Sequence, residues 1–135
     1  MTAAVPHRFA CRVYYEDTDL AGIVYYANYL RFIERARSEW VRDLGIDQRR
    51  MKDEAGMVFA VRRLEADYLA PARFDDELAV ETSVTALSAA RIVLKQEVLR
   101  QGTVLFRAVV TLVCLSASGA PQRLPPVLRG IPIPG

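Results

Sequence analysis

Glu16, Asp17 and Asp19 place three carboxylates within four residues, and Gly22 and the run Ile23-Val24-Tyr25-Tyr26 follow before a long helical stretch begins. A helix start presents unpaired backbone N–H groups and a partial positive charge. A carboxylate held beside that end has two uses. It can cap the helix. It can also attack, or activate water against, a carbonyl whose oxygen the same N–H groups polarise, which is acyl-transfer chemistry. Gly22 allows a positive φ or a close approach of another group to the backbone. On spacing alone Asp17 reads as a turn and cap residue. Tyr15 and Tyr25 read as core or pocket wall.

The rest of the composition narrows the chemistry. His7 is the single histidine among 135 residues and lies in the N-terminal arm. That argues against a Ser-His-Asp triad, a Cys-His pair and a His-rich metal cluster, and no metal is expected. No G-x-S-x-G, G-x-G-x-x-G or P-loop occurs. Cys11 and Cys114 are too few for a disulfide framework and read as small core residues. If the chain is a hydrolase, a carboxylate must do the work. A net charge of +2, with no basic run interleaved with aromatics, gives no case for nucleic acid. No run reaches the ~18 apolar residues of a membrane span, and the first residues hold no apolar stretch of signal length. A cytoplasmic protein is expected.

The positioning elements follow from periodicity. From Ala27 no Pro or Gly interrupts until Gly45, and Leu30, Ile33, Trp40, Val41 and Leu44 fall on one face at about 100° per residue, with Tyr29 at its edge. Asn28 is a candidate N-cap and Gly45 suits the position past the helix end. Arg37 breaks the apolar stripe. It reads either as a structural partner of Glu34 or as a group supporting a nearby site. Alternation predicts a strand over Phe9 to Tyr15, after a loose arm over 1–7. A second short helix is expected over Ile46 to Ala55, capped by Asp47 and stopped by Gly56. Further strands are expected over Met57 to Tyr68, Glu77 to Leu87, Ala90 to Gln101 and Thr103 to Leu115, with a hairpin turn at Gln101-Gly102. The last is apolar enough to predict burial on both faces, by the helix inside and a partner outside. The Pro-rich tail over 117–135 should lack regular structure. The order is strand, long helix, four strands, so residues 1–135 form one α+β domain.

The run DTDLAGIVYYANYL, from Asp17 to Leu30, resembles the signature of the hot-dog acyl-CoA thioesterases of the 4-hydroxybenzoyl-CoA thioesterase type. The wider run RVYYEDTDLAGIVYYANYLRFIERARSEWVRDLGI is similar to the Tol–Pal-associated acyl-CoA thioesterases of bacteria, and the likeness continues through DYLAPARFDDEL. The resemblance implies the hot-dog fold, a long central helix wrapped by a curled antiparallel sheet of about five strands. It implies hydrolysis of a small to medium acyl or aroyl thioester to the free acid and CoA, without a cofactor beyond the CoA of the substrate. It points to Asp19 as the catalytic carboxylate, acting as nucleophile or general base, and to the backbone N–H of Tyr26 as the group that polarises the carbonyl. Gly22, Val24 and Tyr25 are implied in substrate binding. It implies a homodimer or homotetramer with sites at the dimer interface, and acyl carrier protein as an alternative carrier. One position departs. The Tol–Pal-associated enzymes often carry His where this chain has Tyr26, which matches the 4-hydroxybenzoyl-CoA branch.

The CoA phosphates need cations. Arg62, Arg63, Arg73, Arg91 and Arg107 are candidates, with Arg91 favoured by its place after the Leu87 to Ala90 turn. Against the hydrolase stands a non-catalytic reading, an acyl or acyl-carrier-protein binding or scaffold protein in envelope lipid metabolism. Retention of Asp19 within the full motif argues for catalysis. A dehydratase on this fold needs a catalytic His, for which His7 is badly placed.

Overall fold

Alternation of apolar and polar residues gives each strand one face for a helix and one for solvent. The computed structural model describes residues 5–131. In it β1 (His7–Arg12), β2 (Met57–Tyr68), β3 (Glu77–Leu87), β4 (Arg91–Arg100) and β5 (Thr103–Ser116) form an antiparallel sheet in the order β1-β3-β4-β5-β2. A two-residue β6 (Pro121–Gln122) pairs with β5, making the sixth strand. The helix α1 (Asn28–Asp43) lies over β1, β3 and β4, and α2 (Gln48–Ala55) lies over β2. A long helix in a curled antiparallel sheet is the architecture the sequence implied.

The inward row of each strand builds the core: Val80, Val84, Ile92, Leu94, Val98, Phe106, Val110 and Leu112 are buried against Tyr29, Phe32, Ile33, Ala36 and Trp40 of α1. The buried helix face therefore differs from the expected one. Phe32 and Ala36 belong to it, whereas Leu30 is 38% exposed and Leu44 only partly buried. The helix is rolled toward β3, which turns Leu30 to the open side of the sheet. Polar side chains fix that roll. Buried Gln96 on β4 donates to the Ile33 carbonyl at 2.9 Å and to Thr82 Oγ1 at 3.0 Å, and accepts from Arg37 Nη1 at 2.9 Å. Arg37 thus bonds to Gln96 rather than closing on Glu34.

Several boundaries shift for local reasons. β1 ends at Arg12 because Tyr15–Asp17 turns into a 3₁₀ segment. His7, expected in the loose arm, opens β1, and residues 1–4 lie outside the described residues. α2 matches, with the Asp47 carboxylate accepting from the Arg50 N–H and Gly56 in the left-handed region at φ 64°. Gln101 and Gly102 both take positive φ, the hairpin geometry that matches strand twist. On β5 the inward side is buried, but Arg107 and Val109 on the outer side are exposed, so burial on both faces does not hold within the chain.

The expectation for the tail also changes. β6 continues the ladder where β4 has ended, the Leu124 N–H donates to the Ala89 carbonyl at 2.8 Å, and α3 (Pro126–Arg129) begins on a proline. Leu124 and Leu128 are buried in the main core. The prolines signalled an irregular path, and two leucines at helical spacing dock it. Residues 132–135 lie outside the described residues.

Docking makes the tail part of the cooperative unit. Leu128→Ala should lower the free energy of unfolding by about 2–5 kcal/mol in urea titrations, whereas Val127→Ala, at an exposed position of the same helix, should change it by less than about 0.5 kcal/mol. Equal effects would mean that the tail contributes nothing to the core.

Candidate active site

The turn between β1 and α1 is a tight loop closed on itself. The Asp19 N–H donates to the Ile23 carbonyl at 2.9 Å and the Gly22 N–H returns to the Asp19 carbonyl at 3.0 Å. Gly22 sits at φ +80°, and a Cβ there would meet nothing within 4 Å. Glycine is required here for the left-handed backbone and not for close approach of another group. Asp19 Oδ1 accepts from the Ala21 N–H at 2.9 Å. Its second oxygen has no protein partner among the described residues.

Asp17 holds this loop to the helix. It is 4% exposed. Its Oδ2 accepts from the Tyr14 N–H at 2.8 Å and its Oδ1 from Asn28 Nδ2 at 2.9 Å. The Tyr25 N–H donates to the Asp17 carbonyl at 2.9 Å. The turn role expected of Asp17 is thus present, in a stronger form. Asn28 is not the N-cap. Ala27 holds that position without a side-chain cap, and Asn28 is the first helical residue with its side chain turned back to Asp17.

Around the helix start the amides of Val24, Tyr25 and Asn28 are all taken up, by the carbonyls of Ala72, Asp17 and Tyr25. The Tyr26 amide has no acceptor among the described residues. Asp19 and Tyr26 line the same cleft, about 410 Å³, together with Val24, Tyr25, Tyr29 and Tyr68, and the Leu69 to Pro71 segment closes it. The arrangement is a carboxylate with a free oxygen, a free N–H at the positive end of a helix dipole, and apolar walls.

The tyrosines form one contiguous cluster. Tyr29 stacks on Phe106 with ring centroids 4.9 Å apart, and Tyr68 meets Tyr26, Tyr29 and Phe106 edge-on. The Tyr68 hydroxyl donates to the Tyr26 carbonyl at 2.9 Å, and the Tyr29 hydroxyl accepts from the Ala72 N–H at 3.0 Å. Burial pushes both phenols above their ordinary range; the neighbouring phenols add to this at Tyr68, and the Ala72 N–H opposes it at Tyr29. Both hydroxyls therefore stay protonated near neutrality. Tyr29, Tyr68 and Leu69–Pro71 were not singled out as site residues. Their only signal was the aromatic end of a strand running into Pro71.

The loop carrying Pro71 is pinned by Asp76, which accepts from the Arg73 N–H at 2.8 Å and from Arg100 Nη1 at 2.7 Å. Burial alone would raise the Asp76 pKa; these bonds and the Arg100 charge outweigh it and hold the group below the ordinary value.

Other reactive groups stand outside the cleft. His7 Nε2 lies 2.7 Å from Asp43 Oδ2, at the C-terminal end of α1, whereas the cleft is at its N-terminal end. Burial raises the Cys11 thiol to about 11, only partly offset by Arg35, and burial also raises Cys114. Neither is a thiolate at neutral pH. Among the described residues no group of three or more His, Cys, Asp or Glu could hold a metal, and no helix is long and apolar enough to cross a membrane.

Of the cations, Arg73 is nearest in the chain fold, since its backbone bridges Ile23 of the site loop. Arg63 and Arg107 are engaged by Glu65 and Glu97. Arg62 is the extra residue of a bulge in β2. Arg91 lies away from the cleft of its own chain. It pairs with Val113, which is beside Ala60 near the start of β2, while the cleft adjoins Tyr68 at its end.

Known proteins resemble the chain over most of its length. Residues 13–131 match the family model of the thioesterase-like superfamily. Acyl-CoA thioesterase YbgC of Haemophilus influenzae is 43% identical over 107 residues, 79% of each chain. Acyl-CoA thioester hydrolase YbgC of Escherichia coli O6:H1 is 40% identical over 109 residues, covering 80% of this chain and 81% of that one. The crystal structure of a probable thioesterase from Bartonella henselae superposes with a TM-score of 0.85 at 37% identity, covering 89% of this chain and 99% of that one.

The two aspartates should part company in stability. Asp17→Ala strands the Asn28 amide and the Tyr14 N–H and should destabilise by about 1–3 kcal/mol in denaturant titrations. Asp19→Asn removes no buried partner and should stay within about 0.5 kcal/mol of the wild type. A large loss for Asp19→Asn would make it a structural residue.

Proposed function

The chain belongs to the thioesterase-like superfamily and is an acyl-CoA thioester hydrolase, and we propose that Asp19 is its catalytic carboxylate and the Tyr26 N–H its oxyanion donor. The observation that carries this reading is the pairing of a free amide at the start of α1 with a carboxylate oxygen lacking a protein partner, across one apolar cleft. The thioester carbonyl oxygen accepts from Tyr26, where the helix dipole opposes the growing negative charge. Asp19 then attacks the carbonyl carbon to give a mixed anhydride, which water hydrolyses, or takes a proton from a water that attacks directly. Either route expels the CoA thiolate. A thiolate is stable enough to leave without a histidine to protonate it, in keeping with the distance of His7 from the cleft.

The tyrosine-lined walls suit a small to medium acyl or aroyl group carried on CoA. Tyr25 and Val24 form part of that wall, and Gly22 sets the turn that presents Asp19. The active unit is a homo-oligomer in which a second copy covers the open side of the cleft. Antiparallel pairing of two β2 strands brings the start of one toward the end of the other. The partner's Arg91 then approaches the cleft from which its own chain holds it away, and joins Arg73 as a candidate for the CoA phosphates.

Thiol release from a panel of acyl-CoAs, short aliphatic to aroyl, tests the assignment. Wild type should turn over one class well, and Asp19→Asn should lower kcat by ~10²–10⁴-fold with KM changed little. Unchanged turnover in Asp19→Asn would remove the carboxylate from the mechanism. Absence of release from every CoA ester would move acyl carrier protein thioesters to first place.

A further inference from the structure

Two peptide groups meet at Tyr26. The first carries the Tyr26 N–H together with the Tyr25 carbonyl, which accepts from the Asn28 N–H at 2.8 Å. The second carries the Tyr26 carbonyl, to which no backbone N–H donates among the described residues. Its partner is a side chain, the Tyr68 hydroxyl at 2.9 Å. Peptide planes are rigid, so only φ and ψ of Tyr26 turn one plane against the other. Anchoring both planes fixes those angles, and with them the direction of the N–H. Among the described residues the second anchor is the Tyr68 hydroxyl alone.

The Tyr68 ring is itself held by the core. Tyr68 is the last residue of β2, and its ring meets Phe106 edge-on at 5.0 Å and Tyr29 at 5.6 Å. Both of these partners are buried, so the ring rests on fixed neighbours although about half of Tyr68 is exposed. The next two residues continue the anchorage, since the Leu69 and Ala70 N–H groups donate to the Leu105 carbonyl at 2.8 and 3.0 Å. Tyr68 thus joins the two walls of the cleft, the start of α1 on one side and the Leu69 to Pro71 segment on the other. A phenol has a single proton to donate. Here that proton is committed to the Tyr26 carbonyl, and burial, with the neighbouring phenols, keeps it on the oxygen near neutrality. Tyr68 has none to offer a leaving thiolate, so its action on a substrate runs through Tyr26.

We propose that Tyr68 is a positioning residue of thioester hydrolysis, its hydroxyl holding Tyr26 by the carbonyl so that the Tyr26 N–H faces the thioester oxygen. The inference rests on the reading of that N–H as the oxyanion donor and adds the group that fixes it. A donor contributes most when its direction is set before charge develops on the oxygen. Without the hydroxyl, Tyr26 keeps one anchored plane and its N–H can swing off the line to the carbonyl. The Tyr68 ring is a separate matter. It walls the cleft with or without the oxygen, so binding and positioning can be told apart.

Tyr68→Phe removes the hydroxyl and keeps the ring. On the acyl-CoA that wild type hydrolyses best, kcat should fall about 10–100-fold with KM within about threefold of wild type. Placing 4-aminophenylalanine at position 68 returns an N–H donor to the same carbonyl and should bring kcat back to within about fivefold of wild type. A second readout follows the donor itself. The infrared stretch of a ¹³C-labelled thioester carbonyl is recorded on Asp19→Asn, with and without Tyr68→Phe. Loss of the hydroxyl should return the stretch toward its value in water and broaden it. Unchanged kcat, a rise in KM alone, a kcat loss with an unmoved stretch, or no recovery with 4-aminophenylalanine would each overturn the positioning role. A Tyr68→Phe chain that fails to fold would overturn it too, by making the hydroxyl a structural group. A carbonyl already unshifted on Asp19→Asn with Tyr68 intact would instead overturn the reading of Tyr26 as oxyanion donor.

Discussion

The site depends on one buried carboxylate. Asp17 accepts from the backbone of Tyr14, just past the end of β1, and from the side chain of Asn28 at the start of α1. Those bonds join the two ends of the loop that carries Asp19, so the Asp19 carboxylate and the Tyr26 amide are positioned by the same clamp. The Tyr25 N–H bonds to the Asp17 carbonyl, and the next amide, that of Tyr26, is left without an acceptor among the described residues. An amide that is fixed before substrate arrives needs no reorganisation when charge develops on the oxygen it faces.

The opposite wall is held as firmly. Asp76 gathers Arg100 and the Arg73 backbone, and so fixes the loop through Pro71. Its depressed pKa means that this contribution to stability is full above the ordinary carboxylate range and is lost as pH falls through the folded value. Gln96 sets the roll of α1 against the sheet. The roll that buries Phe32 and Ala36 leaves Leu30, Glu34 and Arg37 in the groove beside Val61 and Leu64 of β2.

Much of this was legible in the sequence where short-range chemistry decides. The strands β2 and β3 and the Asp47 and Gly56 limits of α2 follow from alternation and capping alone. The Asp19 loop was legible through the spacing of acids and glycine before a helix, and more specifically through resemblance. Long-range contacts were not. Asn28 looked like a cap because its partner, Asp17, lies eleven residues away on the other side of a loop. Leu30 looked like core because periodicity gives a face but not the direction in which tertiary packing rolls it. Leu124 and Leu128 were hidden by the prolines around them. Arg91 was chosen for its turn, and the strand register, which periodicity does not reveal, sets it level with Val113 and Ala60 near the start of β2, away from the Tyr68 end that adjoins the cleft.

The central claim is that the Tyr26 amide polarises the thioester carbonyl while Asp19 stands ready to react. The most direct measurement is the infrared stretch of a ¹³C-labelled thioester carbonyl, using the acyl-CoA that wild type hydrolyses best, bound to Asp19→Asn so that it is not consumed. The account predicts a shift to lower frequency relative to the same ester in water, from a hydrogen bond stronger than water provides and an aligned helix dipole. A bound carbonyl with the frequency it has in water or higher would contradict it, and would place the polarising group elsewhere than at the start of α1.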